Sequence, residues 1–257
     1  MTQSVFNRYE KKYILPREVY GELRCLLEPH MQQDGYGRHT ICNIYYDTAG
    51  DLLIRRSVAR PVYKEKLRLR SYGQPGLQSR VFLEIKKKYR GVVNKRRVAL
   101  ELRQAYDYLA GRSRPLLPSG REQQILRELD FFLARYPLQP RLCLCYDRIA
   151  LFGREDGDFR VTFDSRIRCR RQRLQLELGD GGSLLLPENW VLMEAKFTGA
   201  CPLWFSHLLA RLGLYPVSFS KYGAFYRQEQ GGLSPADLLA GRVESCRAAL
   251  TGREEAC

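Results

Sequence analysis

In the segment Lys64-Glu65-Lys66-Leu67-Arg68-Leu69-Arg70, Lys66, Arg68 and Arg70 alternate with leucines. Side chains of a β-strand point alternately to its two faces, so the three cations share one face and Leu67 and Leu69 the other. The pattern recurs along the chain. Leu83 and Ile85 oppose Glu84, Lys86 and Lys88, and Ile149 lies opposite Tyr146 and Arg148. Arg160, Thr162, Asp164 and Arg166 line one face, with Val161 and Phe163 on the other. Glu194 shares a face with Lys196, and Glu10 with Lys12. A single strand of this kind fits an ordinary sheet with one wet face. Six strands, nearly all basic, fit it poorly, because like charges on neighbouring strands repel. Closing the sheet with the aliphatic face outward under helices relieves the conflict. The charges then converge on a lumen that a polyanion and a metal ion would neutralise.

The chain has 257 residues and 43 Lys plus Arg against 28 Asp plus Glu, a formal net charge of +15. That balance points to an anionic partner: nucleic acid, a membrane surface or a phosphorylated small molecule. Hydrophobic residues make up 44%, which excludes a disordered chain. No stretch reaches the roughly 18 to 20 apolar residues of a membrane span, and the first eight residues contain no apolar leader. The eight cysteines form no CxxC pair and no Cys/His ligand spacing, so reduced thiols in a cytosol are expected, without structural zinc.

Strands are expected over 6–15, 39–47, 62–71, 80–89, 92–102, 140–152, 159–169 and 190–197, with a further short one over 174–178. Gly73-Gln74-Pro75-Gly76 supplies a turn, and Arg90-Gly91 closes a hairpin. Helices are expected over 16–27, within 103–135 between breaks at Pro115 and Pro118, over 202–212 and over 234–250. The predicted fold is mainly β (α+β): an eight-stranded antiparallel β-barrel tunnel with a charged lumen, decorated by helices. Residues 1–230 form the tunnel domain, and 231–257 a C-terminal helical tail.

The carboxylates narrow the ligand. Glu10, Glu84 and Glu194 each precede a lysine by two residues (Lys12, Lys86, Lys196) on the presumed inner face. A nucleic-acid groove gains nothing from acids among its phosphate contacts. A site for phosphate plus a divalent cation needs them, since hard oxygen ligands hold Mg²⁺ or Mn²⁺ while Lys and Arg hold phosphate oxygens. For Glu10 and Glu84 a structural salt bridge is an equal alternative. For Glu194, in an otherwise apolar strand, the metal reading is favoured.

In combination, Arg8-Tyr9-Glu10-Lys11-Lys12-Tyr13, Asn43-Ile44-Tyr45-Tyr46-Asp47, Lys66-Leu67-Arg68-Leu69-Arg70, Glu84-Ile85-Lys86, Tyr146-Asp147-Arg148, Arg160-Val161-Thr162-Phe163-Asp164, Met193-Glu194-Ala195-Lys196 and Ser220-Lys221-Tyr222 resemble the triphosphate tunnel metalloenzymes. Within them, they resemble the VTC (vacuolar transporter chaperone) polyphosphate polymerase domain. The resemblance runs from about Phe6 to Arg227. It implies a tunnel that binds a triphosphate with Mn²⁺ or Mg²⁺ and transfers the γ-phosphate of ATP to a growing polyphosphate chain. Carried over, it implies that Lys12, Arg68, Arg70, Lys86, Arg148 and Lys221 grip phosphates and that Tyr146 and Ser220 add neutral hydrogen bonds. Glu194 would hold the metal, and Arg55 or Arg56 would supply one more basic contact. Lys66, Arg160 and Lys196, on the same faces, are further candidate substrate contacts. The chain departs from the family twice: Glu10-Lys11-Lys12 replaces ExExK, and Ser218 stands where polymerases tend to carry a second lysine.

A polyphosphate end is already an oxyanion and needs no general base, whereas a hydrolase needs a group to orient water. No dedicated base is evident, which leans toward transfer. Tripolyphosphate or nucleoside-triphosphate hydrolysis is the second reading, and a non-catalytic polyphosphate- or RNA-binding module the third. Any coupling to a membrane would come through a separate partner. His30, His39 and His207 are scattered outside any catalytic pattern, Cys143 and Cys145 read as packing residues, and the basic run Arg166 to Arg173 is expected to be a solvated strand end or a tunnel mouth.

Overall fold

A computed structural model describes residues 8–90 and 92–232. In chain order the elements are β1 (Arg8–Pro16), α1 (Arg17–Leu27), β2 (Met31–Gln33), β3 (His39–Asp47), α2 (Leu52–Val58), β4 (Tyr63–Tyr72), β5 (Arg80–Tyr89), β6 (Val92–Glu101), α3 (Leu102–Leu109), α4 (Gly120–Arg135), β7 (Gln139–Gly153) and β8 (Arg160–Arg170). A 3-10 turn (Leu176–Leu178), β9 (Ser183–Leu184), β10 (Trp190–Thr198), α5 (Leu203–Arg211) and α6 (Lys221–Glu229) complete them. The expected helix over 234–250 and nearly all of the expected tail lie outside the described residues. Among these residues, no helix is long and apolar enough to cross a membrane.

The chain divides into two compact units. One comprises residues up to 39, then 147–167 and the part from 184 onward; the other comprises 40–146 and 168–183. In the second unit the strand order is β7-β3-β4-β5-β6. Its alternation is the one read from the sequence. Ile44, Leu67, Leu69, Leu83, Ile85, Val98 and Leu100 form one buried face, covered by α3 and α4 through Leu102, Ala105, Ile125, Leu126, Leu129 and Phe132. The spacing of Ile125, Leu129 and Phe132 puts these side chains on one helix stripe. Fully burying each such side chain contributes roughly 1.5–3 kcal/mol. Ser119 starts α4 by accepting a hydrogen bond from the Glu122 amide at 3.1 Å, and a Glu101–Gln104 capping box starts α3.

In the first unit the order is β1-β10-β8-β7, with β2 on β7. Its apolar face carries Tyr13, Leu15, Val161, Phe163, Val191, Met193 and Phe197. Here α1 buries Val19, Leu23 and Leu27, and α5 buries Phe205 and Leu209. Trp204 and Phe205 pack edge-on against Phe159 at 5.6 and 5.1 Å between ring centroids.

The described residues are thus mainly antiparallel β, as the alternation predicts, with six α-helices among them. Among the described residues the hydrogen-bonded order ends at β1 in the first unit and at β6 in the second. The outer side of β1 is engaged differently: the Val217 amide donates to the Lys12 carbonyl at 2.7 Å. The segment 174–178 is no strand but holds the 3-10 turn. Arg173, just before it, has a φ of 51°, which breaks an extended run.

Candidate active site

The polar face of the second unit is set by register. Tyr45, Arg68, Glu84 and Arg97 lie across from one another on β3, β4, β5 and β6. The next row is Lys66, Lys86 and Lys95, and Lys64 faces Lys88 beyond it. Directly opposed like charges weaken a sheet, so a row of three lysines is a cost that an anionic ligand would remove. Glu84, whose side chain is 2% exposed, holds Arg68 at 2.7 Å, Lys95 at 2.6 Å and Arg70 at 4.0 Å. Arg70 also donates to Asn43 Oδ1 at 2.8 Å and to the Tyr146 hydroxyl at 3.1 Å. Arg68 donates to the Tyr45 hydroxyl at 3.2 Å. Burial alone would raise the Glu84 carboxyl, but Arg68, then Arg70 and Lys95, hold it at about 2.

Lys95 was not singled out from the sequence, because Lys95-Arg96-Arg97 shows no alternation. Only its register opposite Lys86 places it. Desolvation of its ammonium, aided by Arg68 and Arg70 and opposed by Glu84, lowers it to about 8 from the usual 10.5. Two effects of opposite sign follow. Between those two values the folded state has already released a proton that the unfolded chain still binds, so stability rises with pH. Over the same range the ammonium disappears, so an anion such as tripolyphosphate, if held on this face, should bind more weakly. Urea midpoints and calorimetric titrations between roughly pH 7 and 10 should show this, with Lys95→Met flattening both trends and subtracting the ligand's own titration. Stability and affinity falling together in the wild type would refute it.

In the first unit, Lys12 on β1 faces Glu194 on β10, which in turn faces Thr162 on β8. Glu194 meets Lys221 and Lys196 at 3.2 Å each, Lys12 at 3.5 Å and Arg148 at 3.7 Å. Asp164, fully buried, receives Arg148 in a two-point contact at 2.6 and 2.7 Å and Lys221 at 2.5 Å. Lys12 also meets Glu10 at 3.2 Å. Burial would raise both inner carboxyls. Lys221, Lys12, Lys196 and Arg148 nevertheless pull Glu194 well below its ordinary value, and Arg148 and Lys221 lower Asp164. Lys221 is the first residue of α6, and the Ser220 hydroxyl caps that helix by accepting from the Gly223 amide at 3.3 Å.

These residues suit a divalent ion. Glu194 and Asp164 share the Lys221 ammonium, so hard oxygens already surround one cation. The Thr162 hydroxyl, opposite Glu194, is buried and finds no protein hydrogen-bond partner. Among the described residues, no group of three or more His, Cys, Asp or Glu gathers as a metal site, so the candidate set is two carboxylates and a hydroxyl. Asp164 was read as a face residue only. Its ion pairs mark it as part of the cluster.

The remaining candidates are half-buried or exposed. Arg160 is exposed and faces Lys196. Arg55 and Arg56 are exposed on α2, which Asp47 anchors by accepting from the Leu53 and Ile54 amides at 2.8 and 2.9 Å. Lys86 is exposed, Lys66 is half-buried, and Glu10 is exposed. The basic run is largely used within the fold. Arg168 binds Asp180 at 2.6 Å, Arg170 donates to the Arg173, Gln175 and Gly181 carbonyls, and Arg171 meets Asp51 at 3.1 Å.

The VTC domain family matches residues 7–228, which contain every residue of both clusters. The chain belongs to the VTC domain family. No curated protein matches it. Among solved structures, a candidate adenylate cyclase from Vibrio parahaemolyticus is 13% identical over 90% of this chain and 100% of its own, with a TM-score of 0.45. One from Bacillus halodurans is 16% identical over 82% and 92%, with a TM-score of 0.49. One from Hippeastrum, described as having a dominant triphosphatase activity, is 18% identical over 88% and 97%, with a TM-score of 0.48. Within this VTC domain, Glu194, Lys196, Lys12, Arg148 and Lys221 meet in one unit, while Arg68, Arg70, Glu84 and Tyr146 meet in the other.

Proposed function

We propose that this VTC domain is a metal-dependent polyphosphate polymerase that transfers the γ-phosphate of ATP to a growing polyphosphate chain. The observation that carries the reading is the excess of cations over carboxylates on both polar faces, within a chain matched to the VTC family over residues 7–228. Glu194 with Asp164 would hold Mn²⁺ or Mg²⁺, which when bound offsets the charge of the phosphate oxygens. Lys12, Arg148, Lys196 and Lys221 would grip and orient phosphates at that cluster. Arg68, Arg70, Lys66, Lys86 and Lys95 would do so on the other face, with Tyr45 and Tyr146 fixing the guanidinium directions.

Phosphoryl transfer asks the protein mainly for positioning and charge stabilisation. An Arg–phosphate contact at about 4 Å and an effective dielectric near 20 is worth roughly 4 kcal/mol before desolvation. The carboxylates favour transfer over hydrolysis. Glu84, Asp164 and Glu194 are all held below their ordinary values by cations, which makes them poor proton acceptors near neutral pH. A polyphosphate terminus needs no such acceptor.

The test is incubation with ATP and Mn²⁺, with the products resolved on a polyphosphate gel and a metal-free control. A ladder of increasing length that requires the metal is expected. Orthophosphate without a ladder would replace the polymerase with a hydrolase in the same site. No turnover of ATP or tripolyphosphate would leave a binding module.

A further inference from the structure

The polar face of the second unit changes character from one end to the other. Residues sharing this face on β4, β5 and β6 fall into rows by register, and successive rows lie two residues, about 6.5 Å, apart. Lys64 faces Lys88, the next row is Lys66, Lys86 and Lys95, and the third is Arg68, Glu84 and Arg97. The fourth is Arg70, Phe82 and Ala99. Beyond it Tyr72 ends β4 and Arg80 begins β5. One end is thus a stack of ammonium groups, and the other is aromatic. Arg97 lies over the Phe82 ring, 5.0 Å from its centroid, and Arg80 at 5.7 Å. Tyr72 and Phe82 pack edge to face with centroids 5.7 Å apart. Tyr72, Arg80 and Arg97 are exposed and Phe82 is half-buried. The apolar core of this unit is built on the opposite face, from Leu67, Leu69, Leu83 and Ile85, so Phe82 stands apart from it. Glu84, directly across from Arg97, is taken by Arg68, Lys95 and Arg70. The ring's quadrupole attracts the two guanidinium groups, and rings and guanidinium planes are the surfaces on which nucleobases stack.

We propose that Tyr72, Phe82, Arg80 and Arg97 form a nucleobase subsite, on which the base of a nucleoside triphosphate stacks while its phosphates run toward Arg70, Arg68 and the lysine row. A nucleoside triphosphate has the polarity of this face, aromatic at one end and anionic at the other. A bare polyphosphate chain has nothing to offer Phe82 or Tyr72. The order of the rows also sets a direction. With the base at Phe82, the α-phosphate lies nearest Arg70 and the γ-phosphate is carried toward Lys66, Lys86 and Lys95. Stacking uses the π-face that every base presents. The subsite therefore tells a nucleotide from inorganic tripolyphosphate but not adenine from guanine. The inference rests on the phosphate-binding reading above and goes beyond it, since that reading needs only the cations.

The test is calorimetric binding of ATP, GTP and inorganic tripolyphosphate in EDTA, so that turnover does not intervene, to the intact chain, Tyr72→Ala and Phe82→Leu. Both variants should weaken ATP and GTP alike by about tenfold, the loss of one stacked base, and leave tripolyphosphate within about twofold. Tyr72→Ala changes an exposed side chain and keeps the test decisive should Phe82→Leu disturb the sheet. Irradiation of the wild type with 8-azido-ATP should label the peptides that carry Tyr72 or Phe82, and excess ATP should suppress the label. Variants that bind ATP as the wild type does, variants that lose tripolyphosphate and ATP equally, or labelling confined to other peptides would overturn the subsite and leave the phosphate-binding reading standing. So would a wild type that binds tripolyphosphate but neither nucleotide. A wild type that binds none of the three overturns the phosphate-binding reading and the subsite together.

Discussion

Glu194→Gln should reduce metal-dependent turnover by about a thousandfold or more while the fold persists, since about 4 kcal/mol of charge stabilisation is lost with the ligand at 1.36 kcal/mol per tenfold. The amide keeps the shape of the side chain but removes the charge that four cations surround, at 3.2 to 3.7 Å. Metal-free binding of tripolyphosphate should hold or strengthen, because a negative charge leaves the proposed phosphate site. This split between turnover and binding separates a metal ligand from a structural ion pair, and unchanged turnover would exclude Glu194 from the metal site. Far-ultraviolet dichroism and a thermal melt check the fold. The variant should also lose acid sensitivity. A carboxyl depressed by its partners stabilises the fold at pH values above its ordinary value of 4.5 and ceases to do so as pH falls through its folded value.

Glu84→Ala should act on stability instead, costing about 3–5 kcal/mol in urea unfolding, as removal of one member of a buried charge cluster does. It leaves Arg68, Arg70 and Lys95 converging on a cavity without their common counter-ion. Millimolar sulfate or tripolyphosphate should restore part of the loss, because an added anion takes up the same three donors. In the wild type this carboxyl's contribution is complete above pH 4.5 and disappears as pH falls toward about 2. A loss under about 1 kcal/mol would show that the three cations relax outward into water and that the cluster is not pre-organised.

Much of this arrangement was legible before any coordinates. Strict alternation from Lys64 to Arg70 and around Glu84 assigned both faces of β4 and β5, because burial and charge reinforce each other there. Glu194 stood out as an acid in an apolar strand. What stayed hidden depends on pairing or on local capping. Lys95 needs its register with Lys86. Asp164 looked like one more residue of a polar face until Arg148 and Lys221 closed on it. Helix α6 was missed because Gly223 and three aromatics in its first two turns weaken the helical pattern, and Ser220 read as a phosphate contact when its hydroxyl also serves as the cap. The run Arg166 to Arg173 misled for the opposite reason. Charge density in sequence says nothing of carbonyls folded back to meet it, and Arg170 alone meets three.

The rows of charge on β4, β5 and β6 also bear on how the chain finds its fold. Side chains alternate with a period of two, so slipping any of these strands by one residue would move its cations beneath α3 and α4 and its leucines into water. In an ordinary half-buried strand such a slip exposes a few apolar groups. Here it would also strand Arg68, Arg70 or Glu84 in an apolar layer without partners, which is far more costly. These charged residues therefore double as proofreaders of strand alignment, and a chain that traded them for neutral residues would lose fidelity of assembly.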